Sequence, residues 1–177
     1  WLGEYCAQLD VTTAHIWWTT EVGAAFDRLE QGNDASLKDY EAQVGANLAL
    51  LTGLILGVLS AAERAKLKTL ITIDVHARDV TVNMARAGVD SEEHFSWLSN
   101  LRYYWEPFTV ADGDMCVMMV ASKRPYGYEY LGNSSRLVVT PLTDRCYRRC
   151  GGALHLLYSA APEGPGRTGK RETVQDV

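Results

Sequence analysis

The chain has 177 residues, of which 47% are apolar and 22% charged, a composition that excludes disorder for most of it. Its 22 acidic residues outnumber 17 basic ones, for a formal net charge of −5. Nucleic acids and anionic membranes select clustered Lys and Arg, so we expect neither as a partner. The most apolar stretch, residues 48–59, is too short for a membrane helix, which needs about 20 residues.

Cysteine usage and the start of the chain predict a reducing, cytoplasmic setting. No signal-peptide pattern opens the chain, and the four cysteines lack paired spacing; they are Cys6, Cys116, Cys146 and Cys150. Because the chain begins at Trp1 rather than at a methionine, we expect a piece of a longer polypeptide. The four histidines lack zinc-ligand spacing, so no metal site is predicted.

Two amphipathic helices are predicted in the first 58 residues. The first has apolar residues at steps of three or four after Asp10, which suits an N-cap, and it ends at Gly32. The second begins near Ser36 and carries an apolar seam to Val58, a spacing typical of coiled-coil pairs. We expect the two helices to pack antiparallel.

A third helix is predicted from a capping box. Ser60 and Glu63 have the spacing at which each side chain accepts a hydrogen bond from the other's backbone N–H. Residues 71–75 alternate in a way that also suits a strand, but the cap and the downstream spacing favour a helix that ends at Gly88.

The chain then changes from helical to mixed patterns. A fourth helix is expected to start at Asp90 and to continue through the aromatic residues 103–105 until Pro107 stops it. Short apolar runs beyond it, divided by Gly, Pro and Asn residues, predict a turn at Gly113-Asp114 and strands at Met115–Ala121, Tyr126–Tyr130 and Leu137–Thr140.

A further helix is expected after Thr140, which suits an N-cap and precedes a proline that suits the first helical position. Gly151 and Gly152 should weaken or break it, because each glycine costs about 1 kcal/mol relative to alanine. Its apolar stripe is expected to include Leu142, Cys146, Cys150, Ala153 and Leu157. We interpret the two cysteines as core residues rather than nucleophiles.

The strongest motif for chemistry is a glycine-rich loop. It meets the phosphate-loop pattern G-x-x-x-x-G-K but lacks the final Ser or Thr, and it comprises Gly164, Pro165, Gly166, Arg167, Thr168, Gly169, Lys170 and Arg171. Such loops bind phosphate through backbone N–H groups and the lysine, while the hydroxyl ligates Mg²⁺. The alternative is an ordinary surface loop. A helix is expected to open at Glu172.

Other polar and aromatic clusters are interpreted as structural. Near His76, an acid–base cluster is conceivable, but Asp74 and Arg78 at i, i+4 more simply form a surface ion pair. The aromatic pairs and triplets, Trp17-Trp18 and residues 103–105, are expected in the core because too few basic residues accompany them for a nucleic-acid platform.

Five segments in this order resemble dynein heavy chains over nearly the whole length, and the first is most similar to the axonemal outer-arm type. The segments are residues 16–22, 72–80, 97–105, 126–133 and 137–147. The resemblance implies a mainly α fold, in which a helical linker bundle with a short β segment precedes the beginning of an α/β P-loop AAA+ domain. Residues 1–121 would be the C-terminal part of the linker, and residues 122–177 the linker end and the truncated start of the first AAA+ module.

The resemblance also implies a nucleotide site. The adenine pocket would use Leu137, Val138, Val139, Pro141 and Leu142, and residues 164–171 would bind the phosphates of ATP. The family pattern Gly-Pro-Ala-Gly-Thr-Gly-Lys-Thr has Gly where this chain has Arg167 and Thr where it has Arg171. The second change removes the expected Mg²⁺ ligand and puts Mg²⁺-dependent hydrolysis in doubt. No catalytic residue is expected within this segment, because the acidic and arginine groups of hydrolysis would follow it.

As a whole, the resemblance implies part of an ATP-driven, minus-end-directed microtubule motor for ciliary or flagellar movement, located in the cytoplasm, cytoskeleton and axoneme. Its partners would be nucleotide, the other AAA+ modules of the heavy chain, intermediate and light chains, and microtubules through regions not present here. The alternative is a non-catalytic scaffold with a degenerate nucleotide site, which Arg167 and Arg171 favour. A small stand-alone nucleotide-binding enzyme is a poorer third reading, since few strands accompany the loop.

Overall fold

A computed structural model describes residues 1–106 and 114–176. The predicted mainly α fold with a short β segment is confirmed. In chain order its elements are α1 (Ala7–Glu30), α2 (Ser36–Ile55), α3 (Ala61–Ala87), α4 (Phe95–Leu98), β1 (Arg102–Glu106), β2 (Asp114–Met119), β3 (Ser122–Pro125), α5 (Pro141–His155) and α6 (Lys170–Asp176). Within these ranges, no helix combines the length and the hydropathy required to cross a membrane.

The hydrophobic core lies where α1, α2 and α3 meet, and it is closed by the segment after α3. The predicted packing of the first two helices on each other is confirmed. Trp97 is fully buried, with its ring centre 5.1 Å from that of Trp18 in an edge-to-face contact, a favoured aromatic geometry. Trp17, expected in the core beside Trp18, is instead 61% exposed. The buried cluster comprises Trp18, Val22, Ala25, Phe26, Leu37, Tyr40, Val44, Ala77, Met84, Val89 and Trp97.

The ends of α3 follow the predicted local signals. The hydroxyl of Ser60 accepts from the backbone N–H of Glu63, and the Glu63 carboxylate accepts from the backbone N–H of Ser60, at 3.3 and 2.9 Å. Gly88 ends the helix in the left-handed conformation, with φ +64°, where a side chain would be strained. The capping box and the glycine stop are therefore confirmed.

The ends of α1 and α2 differ from the prediction. Cys6 precedes the first residue of α1, so the prediction of Asp10 as N-cap is wrong. The carboxylate of Asp10 lies inside the first turn and pairs with the Lys66 ammonium of α3 at 2.7 Å. Helix α2 ends at Ile55, and Val58 is fully exposed beyond it. The apolar seam therefore stops short of its predicted end.

The aromatic segment predicted as the end of a helix forms strand β1 instead. Helix α4 stops at Leu98, and β1 pairs antiparallel with β2, with Tyr103 opposite Val117 and Trp105 opposite Met115. Aromatic residues favour strands because they pack on a pleated surface, and the Tyr103 ring stacks on His15 of α1 at 4.5 Å. The predicted helix stop at Pro107 and the Gly113 part of the predicted turn lie outside the described residues.

The small sheet has the order β1-β2-β3, and β2 is its central strand. Strand β2 confirms most of the predicted strand at residues 115–121, and β3 pairs antiparallel with it through Met119 and Ser122. The two strands predicted at residues 126–130 and 137–140 are wrong, because both segments are irregular. The predicted boundary between residues 121 and 122 falls within the β2–β3 turn and stays a prediction.

Residues 126–140, here called the strap, run from β3 to α5 without regular structure. One side chain of α1 holds much of the strap. The Gln8 amide nitrogen donates to the Tyr126 hydroxyl at 2.9 Å and to the Glu129 carbonyl at 2.7 Å. Its oxygen accepts from the N–H groups of Leu131 and Gly132 at 2.7 and 3.3 Å. The strap is therefore fixed by side-chain hydrogen bonds in place of a strand ladder.

Helix α5 begins as predicted but does not break at its glycines. Thr140 and Thr143 form a capping box, and the helix continues through Gly151 and Gly152 to His155. The predicted apolar stripe is not buried, as Leu142 is 74% exposed. Cys146 is also exposed and Cys150 is only partly covered, so their assignment to the core is wrong. The predicted stripe is exposed because α5 packs on the protein through another of its faces. That face carries Tyr147 and Gly151, which line the cavity described below.

Candidate functional site

The glycine-rich loop lies immediately before α6, which starts at Lys170, two residues earlier than predicted. The Lys170 ammonium folds back over the loop. It donates to the Gly164 carbonyl at 2.9 Å, to the Pro165 carbonyl, and to the Thr168 hydroxyl at 3.3 Å. The positive charge is therefore held among the loop's own oxygens, at the place where a phosphate-binding loop needs a cation.

Three residues of the loop have a positive φ; that of Gly164 is +156°, and the other two lie in the left-handed helical region. Gly169 has φ +77° and Arg167 has φ +60°. Glycine adopts this conformation freely, whereas a residue with a Cβ loses about 1–2 kcal/mol in it. Arg167 therefore has a strained backbone at the position where the family pattern has glycine. A Cβ built on Gly166 or Gly169 would contact nothing within 4 Å, so the loop also leaves open space beside its backbone.

The oxygen groups around the loop do not fit a Mg²⁺ ion. Arg171, at the position of the expected hydroxyl, is exposed and carries a positive charge. The Thr168 hydroxyl donates to the Pro165 carbonyl, and the Thr173 hydroxyl donates to the Gly169 carbonyl, both inside the loop and helix. Over residues 1–106 and 114–176, no group of three or more His, Cys, Asp or Glu side chains is placed to hold a metal.

The segment predicted to bind adenine borders two spaces. Leu137 and Val139 line a cavity of about 260 Å³ between α1, α3, the sheet and α5. Val139 and Pro141 also line a wider groove against α3. Val138 and Leu142 are exposed. Among the described residues that line these two spaces, none belongs to the loop at residues 164–171.

The helix that follows the glycine-rich loop is bonded to the segment predicted to bind adenine. The bonds are made by Asp176, a residue that the sequence analysis did not identify. Asp176 ends α6 and accepts hydrogen bonds from the Leu137 backbone N–H at 3.2 Å and from the Tyr147 hydroxyl at 2.7 Å. Its carboxylate also pairs with the Arg136 guanidinium at 3.1 Å. No sequence motif connects Asp176 with Arg136, which lies 40 positions earlier. The sequence signal available for Asp176 was an acidic side chain in the last turn of a short helix.

The cavity contains titratable groups from α1 and α3. Burial lowers the pKa of His15 to about 3, so its imidazole is neutral. Burial also raises the pKa of the Asp74 carboxyl to about 6. The predicted ion pair between Asp74 and Arg78 is wrong, because the Arg78 guanidinium binds Asp79 at 2.7 Å. Asp74 instead lines this cavity and a second groove beside α1.

We expect Asp74→Asn to stabilise the protein in a pH-dependent manner. The native state binds the Asp74 proton more tightly than the unfolded state, so the carboxyl lowers the free energy of unfolding as pH rises from about 4 to about 6. The free energy of unfolding of the variant should therefore match that of the wild type below pH 4 and exceed it by about 3 kcal/mol at pH 7, since the pKa is raised by about two units and one unit corresponds to about 1.4 kcal/mol.

Urea unfolding of both proteins between pH 3.5 and pH 7.5 measures this difference, in which the titration of His15 cancels. Asp79→Asn is the matched control, because that exposed carboxylate pairs with Arg78 and its removal should give no stabilisation at pH 7. A constant difference between Asp74→Asn and wild type across the pH range would contradict the prediction.

Comparison with known proteins finds that this chain is similar to dynein heavy chains. A family model described as the hydrolytic ATP binding site of dynein motor region matches residues 126–177, which include the strap, α5, the loop and α6. The ciliary dynein beta chain of Heliocidaris crassispina is 48% identical over 179 residues, covering 100% of this chain and 4% of that protein. The resemblance to axonemal dynein heavy chains is confirmed.

Two further relatives show a similar extent of similarity to this chain. Dynein axonemal heavy chain 9 of Homo sapiens is 47% identical over 178 residues, and dynein axonemal heavy chain 17 of Homo sapiens is 45% identical over 178 residues. In both, the alignment covers 100% of this chain and 4% of the relative. The chain therefore spans about one twenty-fifth of the length of the relatives it matches.

Proposed function

We propose that this chain is part of a dynein motor, to which it contributes an ATP-binding loop and the end of the linker. Residues 1–121 would form the C-terminal part of the linker, and residues 122–177 the linker end and the start of the first AAA+ module. The observation that carries the proposal is the Lys170 ammonium, held among the oxygens of a glycine-rich loop. The match of residues 126–177 to a dynein ATP-binding region supports it.

The proposed phosphate contacts are the backbone N–H groups of residues 164–170 and the Lys170 ammonium, because both supply positive charge to phosphate oxygens. The proposed base contacts are Leu137, Val138, Val139, Pro141 and Leu142, whose apolar side chains suit an aromatic ring. Bound ATP would supply a phosphoanhydride whose hydrolysis drives conformational change. Arg171 adds a second positive charge in place of a metal ligand, so we propose nucleotide binding that does not depend on Mg²⁺.

In the longer polypeptide we propose an ATP hydrolase that moves along microtubules within the axoneme of a cilium or flagellum. The groups that position the attacking water would come from other parts of that polypeptide, as would its contacts with microtubules and with intermediate and light chains. Residues 1–121 would couple the nucleotide state to linker movement by favouring one linker shape in each state. The other AAA+ modules would be its intramolecular partners.

A second candidate function is a scaffold that has lost nucleotide binding. The strained backbone of Arg167 and the exposed Arg171 favour it, since both residues depart from the loop pattern. The two candidates differ in one property, which is whether the 177-residue chain binds ATP through Lys170.

We expect Lys170→Ala to weaken ATP binding at least tenfold, because a charge-assisted contact to phosphate contributes about 1.5–3 kcal/mol and a tenfold change corresponds to about 1.4 kcal/mol. Titration calorimetry in EDTA and in Mg²⁺ gives both the affinity and its metal dependence. Lys38→Ala, at an exposed lysine of α2, is the matched control. Equal binding by wild type and Lys170→Ala would contradict the proposed role of Lys170, and no binding by either protein would favour the scaffold.

A further inference from the structure

We propose that Asp176 is a positioning residue, which holds the base-binding segment at a fixed place relative to the phosphate loop. This inference rests on the proposed nucleotide site. Asp176 lies at the far end of the helix whose first residue is Lys170. Its carboxylate binds the residues at which the base-binding segment begins, Arg136 and Leu137.

The surroundings of Asp176 are built for a carboxylate. Its side chain is 4% exposed, and three donors from two other parts of the chain converge on it. These are the Arg136 guanidinium at 3.1 Å, the Leu137 N–H at 3.2 Å and the Tyr147 hydroxyl at 2.7 Å. A buried carboxylate is retained at low cost when all its partners are donors. An amide in this place would turn an NH₂ group toward at least one of those donors.

The Tyr147 phenol supports the same assignment. Burial and its hydrogen bond to Asp176 raise the pKa of the Tyr147 hydroxyl well above its ordinary value. The phenol therefore stays protonated and donates to the carboxylate throughout the physiological pH range. Through this hydrogen bond, α5 is attached to the Asp176 carboxylate of α6, to which the strap is also bonded.

The helix between Lys170 and Asp176 transmits position from one half of the proposed site to the other. Seven helical residues extend about 10 Å as a rigid rod. Lys170, its first residue, lies at the proposed phosphate site, and Asp176, its last, is bonded to Leu137. The helix therefore sets the distance between the phosphate loop and the base-binding segment. A ligand that contacts both halves gains from this preorganisation, whereas a ligand that contacts only the loop does not.

Comparison of two probes tests the proposal on the 177-residue chain. ATP contacts both halves of the proposed site, and inorganic tripolyphosphate contacts the loop alone. For Asp176→Asn we expect ATP affinity to fall about tenfold, the effect of one hydrogen bond to a charged group. Tripolyphosphate affinity should stay within about twofold of the wild type, because the loop contacts remain. Glu172→Gln, an exposed acid on the same helix, controls for the lost charge and should leave the ratio of the two affinities unchanged.

Each outcome distinguishes this role from a structural one and from the proposed function. An equal loss of both probes, or no loss of either, would overturn the positioning role while leaving the nucleotide site in place. Wild-type chain that binds neither probe would overturn the nucleotide site and this inference with it. Should Asp176→Asn not fold, as judged by circular dichroism, Tyr147→Phe removes one of the three donors and keeps the carboxylate. It should show the same selective loss of ATP affinity, and unchanged ATP affinity in that variant would also overturn the role.

Discussion

Replacing Trp97 with alanine will lower the free energy of unfolding by about 3–5 kcal/mol, the range for truncating a fully buried large aromatic side chain. Trp97 is 0% exposed and packs against two core rings, with centres 5.1 Å from Trp18 and 6.2 Å from Phe26. The Arg102 guanidinium lies 5.9 Å from the Trp97 ring centre, so the substitution also removes a cation–π contact from a buried charge.

Urea unfolding followed by near-UV and far-UV circular dichroism measures this loss. For a protein of this size we expect the melting temperature to fall by roughly 10 °C, at about 2–4 °C for each kcal/mol. Trp17→Ala is the matched control, because that exposed indole is one residue from the core tryptophan Trp18 and its loss should cost less than about 0.5 kcal/mol. An equal loss of unfolding free energy in the two variants would show that Trp97 is not a main contributor to the stability of the core.

Lys66→Ala will be about as destabilising, by about 3–5 kcal/mol, because it breaks a buried ion pair. Lys66 is 6% exposed. Its ammonium binds the Asp10 carboxylate at 2.7 Å, the Leu2 carbonyl at 2.8 Å and the Tyr5 carbonyl. The substitution leaves the Asp10 carboxylate, whose side chain is only 11% exposed, without its charge partner. It also detaches the first residues of the chain from α3.

Chemical denaturation with two further variants separates the pair from the rest of the helix. Lys68→Ala changes an exposed lysine two positions away and should cost less than about 0.5 kcal/mol. The double variant Lys66→Met, Asp10→Leu should recover most of the stability lost in Lys66→Ala, since apolar pairs commonly replace buried ion pairs at little cost. A double variant as unstable as Lys66→Ala would contradict this account.

Elements set by local interactions could be predicted from the sequence, and elements set by distant contacts could not. The capping box at Ser60 and Glu63 and the glycine stop at Gly88 involve residues within one helical turn. Strand β1 was predicted as helix because its stabilising partner, β2, follows about a dozen residues later. The exposed stripe of α5 was predicted as core because periodicity marks a face without saying which face is covered.

The same distinction applies to the candidate site. The glycine-rich loop is a contiguous motif, so its position before a helix followed from spacing alone. The left-handed conformation of Arg167 appears only in the structure. Asp176 was missed because its partners, Arg136, Leu137 and Tyr147, come from segments 29 to 40 positions away. Their meeting depends on how α5, α6 and the strap pack together.

The attachment of the strap has a chemical consequence of its own. Gln8 uses both ends of one amide, donating two hydrogen bonds and accepting two. Deamidation to a carboxylate would keep the two bonds accepted from Leu131 and Gly132, would abolish the bond donated to the Glu129 carbonyl, and would require the Tyr126 hydroxyl to donate where it now accepts. It would also place a negative charge against the Glu129 carbonyl. Deamidation of this single side chain would thus detach the strap from α1 at Glu129 while keeping it attached at Leu131 and Gly132.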